Sequence, residues 1–152
     1  MSNKIRWCVV SVPTQDWAKQ VFPNSDNALN DLTKTIATTM RLDQDNPTLA
    51  WENHLATLKA RAKYLNSKNF DYLHFENSLG TDLIVGLADN HVWLSAEEEA
   101  TDKVPFVANM PTEEIFTAPH KNKTNGVVKS ALPLSYNGQI IEDFCLKFKN
   151  GK

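Results

Sequence analysis

The sequence predicts an α+β fold, with N-terminal helices packed on a mainly antiparallel sheet. Apolar residues recur at helical spacing between residues 28 and 65. The later part of the chain has short apolar runs separated by turn residues, and Asn137-Gly138 is the strongest of these turn signals. We expect one globular piece over residues 1–152, helical at about 14–69 and β-rich at about 70–150.

The first two elements are expected to be a strand and a short helix. The apolar, β-branched run at residues 5–12 (IRWCVVSV) predicts a buried strand, which Pro13 ends. A helix over residues 14–22 should follow, because Thr14 is a good N-cap residue. The strand would then contribute its side chains to the core.

Two longer helices are predicted next. The second helix should begin at the Asn-Ser-Asp cluster of residues 24–26, which supplies capping side chains. The third should begin at Asn46-Pro47, where a capping Asn precedes a first-turn Pro. Its apolar stripe predicts a buried face that consists of Trp51, Leu55, Leu58, Ala62 and Leu65.

The pattern changes to strands after Asn69. Residues 70–76 (FDYLHFE) and 81–88 (TDLIVGLA) predict two strands joined by a turn that contains Gly80. Residues 91–96 (HVWLSA) follow Asp89-Asn90, which predicts a further hairpin. The sheet is therefore expected to grow mainly through antiparallel neighbours.

The clearest hairpin spans residues 126–148, because Asn137-Gly138 lies between two apolar runs. The acidic run at residues 95–103 (SAEEEATDK) predicts a solvated loop. Asn150-Gly151 is another turn signal, but one residue, Lys152, follows it. A frayed tail and a chain cut from a longer one both explain this ending.

The composition argues against several classes of function. The chain has 41% hydrophobic and 22% charged residues, as ordinary globular domains do, and a net charge of −2. The absence of a strongly basic balance argues against a nucleic-acid partner. No run approaches the roughly 20 apolar residues of a membrane span, and no signal peptide is visible. We therefore expect no membrane partner and a cytoplasmic location.

The sequence contains no complete metal-binding motif. It has no HExxH, no CxxC and no Gly-rich phosphate loop. The two cysteines, Cys8 and Cys145, have apolar neighbours and are predicted to be buried, reduced thiols. The histidines lack the i, i+3 or i, i+4 spacing of helical ligands, and each is expected to be a boundary or solvated residue: His54, His74, His91 and His120.

The most unusual polar feature is the pair Glu113-Glu114, which precedes the apolar pair Ile115-Phe116. If this segment is a strand, alternation sends the two carboxylates to opposite faces. An inward carboxylate needs a cationic partner, because burial of a lone charge is very costly. A metal ion would serve, but the simpler interpretation of the dipeptide alone is two solvated side chains.

Several long strings in the chain carry a family resemblance. They include residues 7–23 (WCVVSVPTQDWAKQVFP), 42–66 (LDQDNPTLAWENHLATLKARAKYLN) and 70–93 (FDYLHFENSLGTDLIVGLADNHVW). Residues 109–121 (NMPTEEIFTAPHK) and 125–151 (NGVVKSALPLSYNGQIIEDFCLKFKNG) complete the set. In order and together, these strings resemble the metal-dependent aminopeptidases of the aminopeptidase T and aminopeptidase S family.

The resemblance implies that the chain is an internal piece of a longer, multi-domain, two-metal aminopeptidase. Such an enzyme removes N-terminal amino acids from peptides with metal-activated water, uses divalent ions such as Zn²⁺ or Co²⁺, and is a homodimer. By alignment to the family's TEE motif, Glu114 is the one metal ligand in this chain. No catalytic residue is implied here, so the piece alone is expected to be inactive and to bind no metal tightly.

A hypothesis from another class of protein stays open at this point. The chain could be a self-contained, non-catalytic α+β binding module in which Glu113 and Glu114 are both solvated. A stop codon directly after Lys152 in the natural reading frame would favour the module, and a continued frame would favour the enzyme piece.

Overall fold

Three helices occupy the first half of the chain in the computed structural model, which describes residues 4–152. Helix α1 (Gln15–Val21) begins at Thr14, whose Oγ1 accepts a hydrogen bond from the Trp17 amide at 3.3 Å. This confirms the predicted N-cap. Helix α2 (Ala28–Thr39) packs on α1 through a buried cluster of small and aliphatic side chains: Ala18, Ala28 and Leu32, with Phe22 and Ile36 partly buried against it.

Helix α3 (Pro47–Lys68) begins as the sequence predicts, because the Asn46 Oδ1 accepts a hydrogen bond from the Leu49 amide at 3.0 Å. Of its apolar stripe, three side chains are buried and two are half-buried. The buried ones are Trp51, Leu58 and Ala62, and the half-buried ones are Leu55 and Leu65. None of the helices among the described residues is both long and apolar enough to cross a membrane.

Among the described residues, the regular elements after α3 are all strands, so the predicted α+β class is confirmed. The strand pairs are antiparallel with one exception. In chain order the strands are β1 (Val9–Val10), β2 (Tyr72–Glu76), β3 (Asp82–Leu87), β4 (Glu97–Glu99), β5 (Pro105–Val107), β6 (Asn109–Met110), β7 (Pro119–Lys129), β8 (Leu134–Tyr136), β9 (Gln139–Ile141) and β10 (Cys145–Phe148).

The largest sheet has four strands in the order β10-β7-β3-β2. Strands β2 and β3 form the predicted hairpin, in register from Tyr72 opposite Gly86 to Glu76 opposite Asp82. The predicted hairpin of residues 91–96 is wrong, because the second edge of β3 is occupied by β7. Strand β7, more than thirty residues further along the chain, therefore pairs with the edge of β3 where the sequence predicts residues 91–96.

The hairpin predicted over residues 126–148 is confirmed, but it forms in two separate ladders. At its tip, β8 and β9 are joined by Asn137 and Gly138, with φ of 49° and 75°. Two central residues with positive φ are what a tight type I′ hairpin turn needs, and Asn-Gly adopts this conformation readily. Nearer its base, β7 pairs with β10.

The acidic run is not a loop, so that prediction is wrong. Residues Glu97–Glu99 form β4, which pairs antiparallel with β5. Two buried alanines, Ala96 and Ala100, flank the strand and hold its ends against the protein. Glu97 also makes an ion pair with Lys59 of α3, which lets an acidic segment lie against the fold.

The first apolar run is not a buried strand, and this prediction is also wrong. Only Val9 and Val10 pair, in a parallel ladder with β6, and their side chains are 60% and 50% exposed. Cys8 and Cys145 are free thiols, as expected, but both are exposed rather than buried. A two-residue ladder covers too little of the run to remove its side chains from water.

The described residues divide into two compact units. The first comprises residues 4–63 and 94–115, and the second comprises residues 64–93 and 116–152 with the four-stranded sheet. The segment with Glu113 and Glu114 lies in the first unit. That residues 1–152 form one globular piece stays a prediction.

Leu58→Ala should lower the free energy of unfolding by about 2–5 kcal/mol, because truncation leaves a cavity at a buried site. Leu58 is 1% exposed. Leu55→Ala is the matched control on the same helix, and it should cost less because Leu55 is half-buried. Urea denaturation followed by circular dichroism measures both losses, and equal losses would contradict this description of the core.

Candidate metal-ligand segment

Residues 112–115 carry the two carboxylates in a segment that belongs to no strand. Strand β6 ends at Met110, and no ladder includes Glu113 or Glu114. The alternation argument, which required a strand, therefore does not apply. The contacts of each side chain must distinguish the two residues instead.

Arg41 lies directly after the end of α2 in the left-handed backbone region, with φ of 58°. Its amide donates a hydrogen bond to the Thr38 carbonyl at 3.0 Å, and the Leu42 amide donates one to the Ala37 carbonyl at 2.8 Å. This pair of bonds is the Schellman ending of a helix, in which the left-handed position is usually Gly. An Arg at this position is unusual, because a side chain disfavours that backbone conformation.

The Arg41 guanidinium holds the Glu113 carboxylate with both of its terminal nitrogens. Nη1 lies 2.7 Å from Oε1, and Nη2 lies 3.0 Å from Oε2. This bidentate geometry is the strongest form of an Arg–carboxylate pair. The hydrogen bond from Arg41 lowers the pKa of Glu113 below its ordinary value. Because Glu113 is 60% exposed, solvent screening keeps the pair's contribution to stability to about 1 kcal/mol or less.

His54 connects Arg41 to the backbone of the same segment. Its Nε2 lies 2.7 Å from the Thr112 carbonyl oxygen, and its Nδ1 lies 3.2 Å from Nη2 of Arg41. A carbonyl can only accept and a guanidinium can only donate, so the geometry assigns the neutral tautomer with the proton on Nε2. The predicted boundary position of His54 is confirmed, since its side chain is 11% exposed.

The Trp51 ring packs against both Arg41 and His54. Its indole Nε1 donates a buried hydrogen bond to the Met40 carbonyl at 2.7 Å. The guanidinium carbon of Arg41 lies 5.3 Å from the centre of the Trp51 ring, and the His54 ring meets that ring edge-on at 5.5 Å. We call these four residues the Arg41 network: Arg41, Trp51, His54 and Glu113.

Glu114, unlike Glu113, makes no contact with the Arg41 network. Its side chain is exposed, and within residues 4–152 no side chain or backbone group is placed to pair with its carboxylate. Glu113 is engaged by Arg41, whereas Glu114 keeps a full set of free oxygen ligands. Carboxylate oxygens suit divalent cations, so Glu114 is the member of the pair available to one.

The other candidate residues have local roles. In the second unit, His74 lies 2.8 Å from Asp82, His91 lies 3.1 Å from the Ala88 carbonyl oxygen, and the His120 Nδ1 accepts from the Asn122 amide. Over the described part of the chain, no three His, Cys, Asp or Glu side chains gather closely enough to hold a metal ion. The described residues therefore form no complete metal site by themselves.

The family of the chain follows from comparison with known proteins. The sequence model of the thermophilic metalloprotease (M29) family matches residues 1–152, and the chain belongs to this family. Among curated relatives, the aminopeptidase PepS of Streptococcus thermophilus is 44% identical over 99% of this chain. The aminopeptidase AmpS of Bacillus subtilis is 42% identical over 99% of it.

A solved structure shows the same fold over most of the chain. Wild-type AmpT from Thermus thermophilus matches with a TM-score of 0.79 and 35% identity over 88% of this chain. The match covers 32% of that solved chain. The present chain likewise spans 37% of the length of PepS and of AmpS.

Trp51→Phe should lower the free energy of unfolding by about 1–3 kcal/mol, because the smaller phenyl ring fills less of the buried site and the Met40 carbonyl loses its donor. Trp17→Phe is the matched control, since Trp17 is 38% exposed. It should cost much less. Chemical denaturation followed by far-ultraviolet circular dichroism compares them, and equal losses would show that the indole hydrogen bond is unimportant.

Proposed function

We propose that this chain forms part of a metal-dependent aminopeptidase, which removes N-terminal amino acids from peptides by means of metal-activated water. Membership of the thermophilic metalloprotease family supports the metal-dependent hydrolase class. The names of the curated relatives, which are aminopeptidases, support the choice of exopeptidase and of peptide substrates. A cytoplasmic location and a homodimeric full-length enzyme belong to the same proposal and rest on the family resemblance.

Glu114 is proposed as the metal ligand that this chain contributes. The observation that carries this assignment is the contrast within the pair: Arg41 holds Glu113, while the Glu114 carboxylate is exposed and unengaged. A carboxylate already bonded through both oxygens to a guanidinium would have to give up that pair before it could bind a cation. The chemistry of the segment therefore favours Glu114.

The donor set fits a partial metal site. A single carboxylate is too few for a divalent ion, which takes four or more ligands in proteins. Further ligands would come from the remaining length of the enzyme, because this chain spans 37% of its relatives. Two Zn²⁺ or Co²⁺ ions are proposed for the whole site, and when bound they supply an activated water and a Lewis acid for the scissile carbonyl.

The role of the chain's own residues is to present Glu114. Its negative charge would balance part of the positive charge at the site, and its neighbour Glu113 neutralises Arg41. The alternative of a self-contained binding module is less well supported, because the relatives that match nearly the whole chain are enzymes.

In the full-length enzyme, Glu114→Gln should lower metal affinity by more than about 100-fold, since outer partners of a metal ligand already contribute 10–100-fold. Gln keeps the shape of the side chain but loses the charge that balances the cation. The measurements are metal content and kcat on an aminoacyl p-nitroanilide.

Glu113→Gln is the matched control, because it makes the same chemical change one residue away. Its metal affinity should fall by no more than about 10-fold, since Gln still offers Arg41 one oxygen although it no longer neutralises the guanidinium. Loss of metal in Glu113→Gln with retention in Glu114→Gln would reverse the assignment. Retention in both variants would mean that neither residue is a ligand.

The 152-residue chain alone should not hydrolyse Leu-p-nitroanilide when Zn²⁺ or Co²⁺ is supplied, because its described residues hold no cluster of three ligands. The assay compares the purified chain with the full-length enzyme at equal concentration. Turnover by the short chain that survives further purification would contradict the proposal that the site needs ligands from elsewhere.

A further inference from the structure

We propose that Arg41 is a positioning residue that holds residues 112–114 in the conformation in which Glu114 faces a divalent cation. This inference rests on the proposed function of Glu114 and goes beyond it, because Arg41 is neither a ligand nor in contact with Glu114. Arg41 acts through Glu113, and His54 completes the arrangement at the preceding carbonyl.

The Arg41 network holds Thr112 and Glu113 and makes no contact with the side chain of Glu114. Thr112 is buried, and its carbonyl accepts the Nε2 proton of His54 at 2.7 Å. The side chain of Glu113 is held at both oxygens by Arg41. With the backbone fixed at Thr112 and the side chain fixed at Glu113, the direction of the next side chain, Glu114, is restricted.

The donors of the Arg41 network match its acceptors. Nη2 of Arg41 donates to Oε2 of Glu113 at 3.0 Å and to Nδ1 of His54 at 3.2 Å, which uses both of its protons. The face of the guanidinium rests on the Trp51 ring at 5.3 Å. A planar, five-donor group is needed for this set of contacts, and Lys could not reproduce it.

The backbone of Arg41 is the second, independent observation. Its φ of 58° places it where Gly or Asn is ordinarily found at the end of a helix. A strained backbone position with a large side chain suggests that the side chain has a use that outweighs the strain. The side chain here is the one that holds Glu113.

The charge balance also suits a cation. An unpaired guanidinium beside Glu114 would repel a divalent ion, but Arg41 and Glu113 sum to zero charge. The negative charge of Glu114 is therefore left for the ion. Preorganisation of a ligand in this way reduces the ordering cost that binding would otherwise carry.

The first test uses the metal-free full-length enzyme and titrates it with Co²⁺ by calorimetry. Arg41→Gly removes the guanidinium and relieves the left-handed backbone. We expect its melting temperature to stay within about 3 °C of the wild type, while Co²⁺ affinity falls about 10-fold even though loss of the guanidinium makes the local charge more negative. Arg6→Met is the control, because it removes another Arg ion pair of the same unit, that with Asp102 at 3.7 Å, and should leave affinity unchanged.

A pair of His54 variants tests the geometry. His54→Gln keeps an N–H that can donate to the Thr112 carbonyl, and His54→Leu does not. We expect Co²⁺ affinity to survive in His54→Gln and to fall in His54→Leu. Equal affinity in the two variants would overturn the role given to the Thr112 hydrogen bond.

A second readout needs no metal. In crystal structures of the metal-free full-length enzyme, the B-factors of residues 112–114 relative to the molecular average should rise in Arg41→Gly and stay the same in Arg6→Met. Unchanged B-factors together with unchanged Co²⁺ affinity in Arg41→Gly would overturn the positioning role. A large fall in melting temperature without loss of Co²⁺ affinity would also overturn it, since that is the pattern of a purely structural residue.

The two proposals fail in different ways. If Glu114→Gln keeps its Co²⁺ affinity, the proposed ligand is wrong, and Arg41 then positions no ligand even if the B-factors of residues 112–114 respond. If Glu114→Gln loses Co²⁺ and Arg41→Gly retains it, the ligand stands and the positioning role is wrong.

Discussion

The candidate site depends on one buried hydrogen bond, which the Trp51 indole donates to the Met40 carbonyl at 2.7 Å. Met40 is the last residue before the chain leaves α2, and its carbonyl lies where the helix no longer supplies a donor. Trp51 of α3 satisfies that carbonyl and at the same time offers its ring to Arg41. Trp51 thereby joins the end of α2 to the face of α3 and also positions the Arg41 guanidinium. The carboxylate segment, more than 60 residues further along the chain, is fixed to this point through Arg41 and His54.

Local signals in the sequence predicted local structure well. Thr14 and Asn46 cap their helices as expected, and Asn137-Gly138 forms the turn that its residue types favour. Each of these features depends on groups within a few residues of one another, so their chemistry is visible in a short stretch. The acidic strand β4 and the exposed strand β1 were not predicted correctly. Their structure depends on partners far away in the chain, which no local pattern specifies.

The candidate site likewise depends on contacts between residues that lie far apart in the sequence. Glu113 and Glu114 are chemically identical, and the sequence offers no local reason to separate them. The difference comes from Arg41, which lies 72 residues before Glu113 and follows α2 in a left-handed turn. A basic residue at the end of a helix is common, so Arg41 carried no signal of its own. The family motif supplied the choice of Glu114, which stays a prediction, and the contacts show only that Arg41 engages Glu113.

The hairpin of β8 and β9 leaves most of its large side chains in water, as Leu134, Tyr136, Ile140 and Ile141 are between 38% and 65% exposed. Unfolding such a hairpin exposes less new apolar surface than unfolding a buried cluster does, and newly exposed apolar surface is the source of the positive heat-capacity change. This part of the chain therefore adds less to the curvature of the stability curve with temperature. Its order is held largely by the turn and the ladder. Cooling, which weakens apolar burial, should affect the hairpin less than it affects the cluster between α1 and α2.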